Sequence, residues 1–174
     1  MNKQQGLLRW RYMKTLDFVN KHISPPARIL DLGVKNPLSE ILISEGFDVK
    51  NTQGEDLDKD FQSVHDKTIE VVTSFEVFEH LLAPYNILKE IKADKLIASV
   101  PLNMFFVKAH WNEDDDRDKH FHEFESRQFD FLLKKTGWKI IDSEKWTTPL
   151  RKLGIRPILR LIVPQYYIVY CERI

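Results

Sequence analysis

Short apolar, β-branched runs alternate with segments of helical period along this chain, and that alternation limits the folds open to it. The first run is Ala27-Arg28-Ile29-Leu30-Asp31-Leu32-Gly33. Others follow at 47–52, 69–75, 95–100, 138–143 and 166–172. Each has strand length and is bounded by Gly, Pro or polar residues. Helical segments lie between them at 38–44, 84–92 and 127–135, with Gly46 and Gly137 as stops. A further helix precedes them all. Leu8, Tyr12, Leu16, Val19 and Ile23 recur at steps of three or four until Ser24-Pro25-Pro26 ends the pattern. Strands alternating with helices build an open, doubly wound α/β sheet, mostly parallel and covered on both faces. The last two strands have no clear crossover helix between them, so an antiparallel C-terminal edge is expected.

Charge and cysteine content narrow the function. Lysine plus arginine number 26, and aspartate plus glutamate also number 26. Duplex nucleic acid calls for a basic excess, so no nucleic-acid partner is expected. Cys171 is the sole cysteine, which excludes an internal disulfide and a thiolate zinc cluster within the chain. Arg156, Pro157, Arg160 and Pro164 break the C-terminal apolar stretch, and no run is long enough to span a bilayer. Residues 1–5 lack the apolar core of a secretory signal, so a cytoplasmic location is expected. The 174 residues are expected to form one domain over 1–174. Its N-terminal helix takes 1–24, and insertions at 103–123 and 146–164 are expected to cover the pocket.

In open α/β sheets, ligands bind beyond the carboxyl ends of the strands. Asp31-Leu32-Gly33, the region near Gln53, residues 74–80 and residues 101–103 should therefore face one crevice. Four motifs occur in that order. Ile29-Leu30-Asp31-Leu32-Gly33 resembles the first motif of the class I S-adenosylmethionine-dependent methyltransferases. Glu70-Val71-Val72-Thr73-Ser74-Phe75-Glu76-Val77-Phe78-Glu79-His80 is similar to the strand-four motif of their small-molecule branch. Ala98-Ser99-Val100-Pro101-Leu102 looks like the family's strand-five ending. His122-Glu123-Phe124, with helix 127–135 and Gly137-Trp138, resembles its late signature.

The resemblance implies a Rossmann-like sheet of six or seven strands and S-adenosylmethionine as cofactor. It places Asp31, Gly33, Gln53, Phe75 and Glu76 at the cofactor. His80 and His122 are the catalytic candidates, and His110, Trp111 and His120 the substrate contacts. The acceptor would be a small molecule or a carrier-linked group. For His80 two readings stay open: a general base, or a buttress for the helix that follows. The chain also departs from the family. Lys35 and Pro37 stand where further glycines are usual, and Gln53 where an acid is usual. The connection from Thr52 to Ile69 is short for a crossover helix and another strand. A catalytically inactive relative that has lost the cofactor site is the alternative.

Other patterns yield bland readings. His120 and His122 with a carboxylate have the residue types of a metal site, but His-x-His is common by chance. No metal is assigned. Asp56-x-Asp58-x-Asp60 fails as a calcium loop, because Phe61 replaces the turn glycine and Lys67 the bidentate glutamate. The acids of 113–118 read as a solvated loop. Segment 149–163 mixes apolar residues with four bases, which suits either an anionic membrane surface or an insertion packed on the sheet edge. Gly154 and Pro157 favour the insertion. A nicotinamide dehydrogenase needs Gly-x-Gly-x-x-Gly after the first strand, and only Gly33 is present.

Overall fold

A computed structural model describes residues 3–149 and 161–174, with side chains from residue 5 onward. One six-stranded sheet organises them, in the order β2-β1-β3-β4-β6-β5. The strands are β1 (Arg28–Asp31), β2 (Asp48–Asn51), β3 (Val71–Phe75), β4 (Lys95–Pro101), β5 (Trp138–Trp146) and β6 (Tyr166–Arg173). The first four pair in parallel, and β6 enters antiparallel between β4 and β5. The antiparallel C-terminal strands are as expected. Six strands rather than seven are present among the described residues. The short connection from β2 to β3 holds only a 3-10 turn, Ser63–His65.

Helices cover both faces. On one lie α1 (Lys3–His22) and α2 (Pro37–Ser44). Leu16, Phe18 and Val19 of α1, and Ile23 just after it, pack with Leu42 of α2 on Ile29, Val71, Ile97 and Ile168. On the other lie α3 (Pro84–Glu90) and α4 (Ser126–Lys135). Ile87, Leu88, Phe129 and Leu133 pack there on Leu30, Val72, Leu96, Val169 and Trp138. Strand residues alternate between the two faces, so neighbours such as Ile29 and Leu30 serve different cores. The apolar stripe of α1 is buried only at its C-terminal end. Leu8 is exposed, and Tyr12 is partly so, lining the pocket described below.

Local chemistry sets the ends of the elements. Asn36 caps α2: its Oδ1 accepts from the backbone N–H of Leu38 and Ser39, and Ser39 Oγ accepts from the Asn36 N–H in return. Pro37 takes the first helical position, where its missing N–H costs nothing. Asn36→Ala is expected to remove about 1 kcal/mol of stability, read as a lower midpoint in urea with the same slope. The acids at 56–60 form a turn, with the Lys59 and Asp60 N–H groups donating to the Asp56 carbonyl. Asp58 goes further: its carboxylate accepts from the N–H groups of Leu82 and Ala83 at 2.9 and 2.8 Å, just before α3. In the acidic run, Asp115 accepts from the Arg117 N–H and Asp116 pairs with Lys119. Most of segment 149–163 falls within 150–160, outside the described residues, as does most of the insertion at 146–164. No described helix is long and apolar enough to cross a membrane.

Candidate functional site

The chain runs from β1 through α2 to β2 on one side, while β3 pairs on the other side of β1. This is the switch point of the sheet, where a crevice opens beyond the strand ends. A cavity of about 490 Å³ lies there, lined from α1, the start of α2, the ends of β3 and β4, and the loop at 103–123. That volume falls within the ~300–1,000 Å³ usual for small-molecule sites.

Asp31, the last residue of β1, is fully occupied. It is 2% exposed. Its carboxylate accepts from Thr73 Oγ1 at 2.7 Å, Asn51 Nδ2 at 3.0 Å and Ser39 Oγ at 3.1 Å. It thus ties β1 to β3, β2 and α2. Burial pushes its pKa up to about 6, against these bonds, which favour the charged form. Gly33 follows with φ +121°, a conformation that side-chain-bearing residues rarely adopt. Its N–H donates to Thr52 Oγ1 at 2.7 Å, and its carbonyl accepts from Asn51 Nδ2 at 3.1 Å. The end of β2 therefore shapes the loop after β1.

The polar wall follows β3. Phe75 and Ser99 are register partners across β3 and β4, which sets Ser99 beside the next residue, Glu76. Ser99 Oγ donates to Glu76 Oε1 at 2.9 Å, and Arg11 from α1 donates to Oε2 at 3.3 Å. Glu76 adopts φ +58°, uncommon for a residue with a side chain and frequent at functional sites. Burial raises its pKa, with Arg11 and Ser99 pulling the other way. Glu79 and His80 close the short turn Phe78–His80. His80 Nδ1 lies 3.1 Å from the Lys119 carbonyl, an acceptor only, so Nδ1 carries the proton and Nε2 keeps its lone pair. Burial holds the His80 pKa below the ordinary imidazole value. His120 is pushed down to about 4 by burial and by the neighbouring His80 and His110.

Of the sequence candidates, Phe75, Glu76, His80 and His120 share this cavity. Asp31 and Gly33, at the end of β1, are not among its lining residues. His110 sits one layer out, donating Nε2–H to Asp118 at 3.0 Å, its ring 5.2 Å from that of His120. Trp111 is half-exposed and packs against Phe121 and the Lys119 ammonium, off the cavity wall. His122 stacks on Phe124 and donates to the Leu82 carbonyl at 3.3 Å, also off the wall. Gln53 turns back to donate to the Asn51 carbonyl at 3.0 Å. Arg11, Tyr12, Thr15, Glu79, Ser99 and Tyr166 also line the cavity. A sequence signal exists for Arg11 and Thr15: they are polar residues four apart beside the apolar stripe of α1.

Fit to S-adenosylmethionine is uneven. A Cβ added at Gly33 would meet only Val77 Cγ2, at 4.0 Å, so that side of the loop is open to a ligand. The residues in place of further glycines serve α2: Pro37 begins it, and the Lys35 ammonium lies 3.7 Å from the Glu40 carboxylate on it. At the end of β2 the position usual for an acid holds Gln53, and the nearest carboxylate beyond it, Glu55, turns one oxygen back to accept from the Gln53 N–H. The residues present fit the cofactor at the β1 loop and the cavity, and only weakly at the β2 end.

No family model matches the chain, and comparison with curated proteins gives no match either. Solved structures do match. A chain of the complex between the Haloferax volcanii Trm112 methyltransferase activator and a methyltransferase aligns with TM-score 0.70 and 14% identity, over 94% of this chain and 90% of that one. A Listeria monocytogenes S-adenosylmethionine-dependent methyltransferase aligns with TM-score 0.67 and 14% identity, over 97% and 99%. Phosphoethanolamine N-methyltransferase 2 of Haemonchus contortus, in complex with S-adenosyl-L-methionine, aligns with TM-score 0.62 and 13% identity, over 94% of this chain and 52% of that one. The chain has the Rossmann-like fold of the S-adenosylmethionine-dependent methyltransferases.

Proposed function

We propose that this chain is an S-adenosylmethionine-dependent methyltransferase acting on a small-molecule or carrier-linked acceptor. One observation carries the reading. On a methyltransferase fold, the cavity opens at the sheet's switch point, with Phe75, Glu76 and His80 in its wall. Bound there, the cofactor supplies a methyl group on an electrophilic sulfonium. The chain's own residues do the rest. Phe75, Leu38 and Tyr166 exclude water from part of the wall. Arg11, Glu76 and Ser99 form a fixed polar edge that orients an acceptor. His80 presents an unprotonated Nε2 able to take the acceptor's proton as it attacks.

Isothermal titration of the purified chain with S-adenosylmethionine and S-adenosylhomocysteine tests this directly. Dissociation constants on the order of micromolar are expected. A second reading, a relative that keeps the fold without the cofactor, is favoured by Gln53, whose amide is spent on the Asn51 carbonyl. A folded chain that binds neither ligand decides for that second reading.

A further inference from the structure

The turn between β3 and α3 leaves one buried group unaccounted for. Glu79 is 1% exposed, and neither carboxyl oxygen has a hydrogen-bond partner among the described residues. A lone carboxylate in a dry site is costly. Protonation removes the charge but creates an O–H that needs an acceptor of its own. His80 Nε2 stands 3.8 Å from Oε1, beyond hydrogen-bond reach.

Two imidazoles surround the same point. His80 keeps its Nε2 lone pair because Nδ1–H is held by the Lys119 carbonyl. The His120 ring meets His80 edge-on, with centroids 4.8 Å apart. The loop that carries His120 is docked on Glu79 itself: the N–H groups of Phe121 and His122 donate to the Glu79 carbonyl at 2.8 and 3.2 Å. One ligand atom from each of Glu79, His80 and His120 lies within 4.8 Å of the other two.

We propose that Glu79, His80 and His120 bind a divalent first-row transition metal ion at the edge of the cavity. Two imidazoles and a carboxylate are a donor set that suits zinc and its neighbours. Bonds of about 2.0–2.2 Å call for the ligand atoms to draw together by about 1 Å, which rotation of the three side chains supplies. A ligating imidazole whose other nitrogen donates to a backbone carbonyl is the usual outer-shell arrangement, and His80 already has it. The dication would join the Arg11 charge and the Glu79 backbone N–H in favouring the ionised Glu79 carboxylate. Three protein ligands leave a further coordination position toward the cavity, where an acceptor oxygen or water can bind and lose its proton more readily; with the ion bound, His80 Nε2 takes no proton, so the ion replaces it in that role. The site rests on this geometry and stands or falls independently of the cofactor.

Cobalt(II) added to the metal-free full chain is the test. One equivalent is expected to bind, with visible d–d bands that zinc abolishes by displacement. Glu79→Gln and His120→Ala should each weaken binding by more than the ~100-fold that outer-shell changes reach. His122→Ala, whose ring is directed at the Leu82 carbonyl, should leave binding unchanged. Circular dichroism checks that each variant folds. Where Glu79→Gln does not fold, His120→Ala on the loop decides. Absence of one-to-one cobalt binding by the folded chain overturns the site, as does binding that His120→Ala leaves intact.

Discussion

Gly33→Val is expected to weaken S-adenosylmethionine binding by about 5- to 150-fold while the chain still folds. The cause is conformational. At φ +121° a β-branched residue is a backbone outlier, so the loop must either leave its present shape or carry strain. Such strain costs about 1–3 kcal/mol, and a factor of ten in affinity corresponds to about 1.4 kcal/mol. Crowding adds little, because a Cβ there would meet only Val77 at 4.0 Å. Gly33→Ala should therefore reproduce most of the loss. The sheet should survive in both variants, since β1 is fixed by its pairings with β2 and β3. Titration calorimetry beside a denaturation curve separates the two effects. Unchanged affinity for a folded Gly33→Val chain would sink the placement of the cofactor at this loop.

The parallel strands β1, β3 and β4 were legible because each is a short, largely apolar run with a clear boundary, whereas Asp48–Asn51 of β2 carries a single apolar residue. Ile29-Leu30 and Val71-Val72 are buried on both faces, and adjacent apolar residues facing opposite ways are the signal of a central parallel strand. β5 was legible only in part. It continues beyond Ser143 to Trp146, and through that stretch alternate residues point outward to solvent. Its polar members Ser143, Glu144 and Lys145 hide the strand from an apolar count. The strand number depended on residues 52–69, where spacing alone left six or seven open. The structure spends that connection on a turn tied to α3 by Asp58.

The site was legible where it follows a strand and obscure where it comes from elsewhere. Phe75, Glu76 and His80 are continuous with β3, so finding that strand finds them. Arg11 could not be placed that way. Its role depends on which face of the sheet α1 covers, and only the packing of Phe18, Val19 and Ile23 decides that. Glu79 is obscured differently. It lies inside the motif, yet on a three-residue turn no periodicity tells a buried residue from an exposed one. Gln53 marks the opposite case. The spacing sets it at the end of β2, but a side chain that folds back on its own strand leaves no trace in the sequence.

Asp31 is expected to make this chain less stable as pH rises from about 4 to about 6. Its pKa is about 6 folded, against about 3.9 for an unfolded aspartate. The folded state therefore holds the proton more tightly, and stability falls with pH wherever the unfolded chain binds fewer protons. The contribution is fully present below the unfolded value and is lost as pH passes through the folded one. At about 1.36 kcal/mol per unit, the loss is on the order of 3 kcal/mol. Asp56, Asp66 and Asp142, whose pKa values are lowered chiefly by hydrogen bonds to neighbouring side chains, act in the opposite direction. The comparison must therefore be with Asp31→Asn, which keeps the shape and cannot ionise. Its amide oxygen can still accept from Ser39 and Asn51, and its NH₂ can donate to Thr73 Oγ1. Urea denaturation of both proteins at pH 4.5, 5.5 and 7, values chosen to span the two pKa values, should show the variant gaining on the parent by most of that amount. A difference that stays flat across the window means that Asp31 does not titrate there, and that the network of Thr73, Ser39 and Asn51 holds it charged throughout.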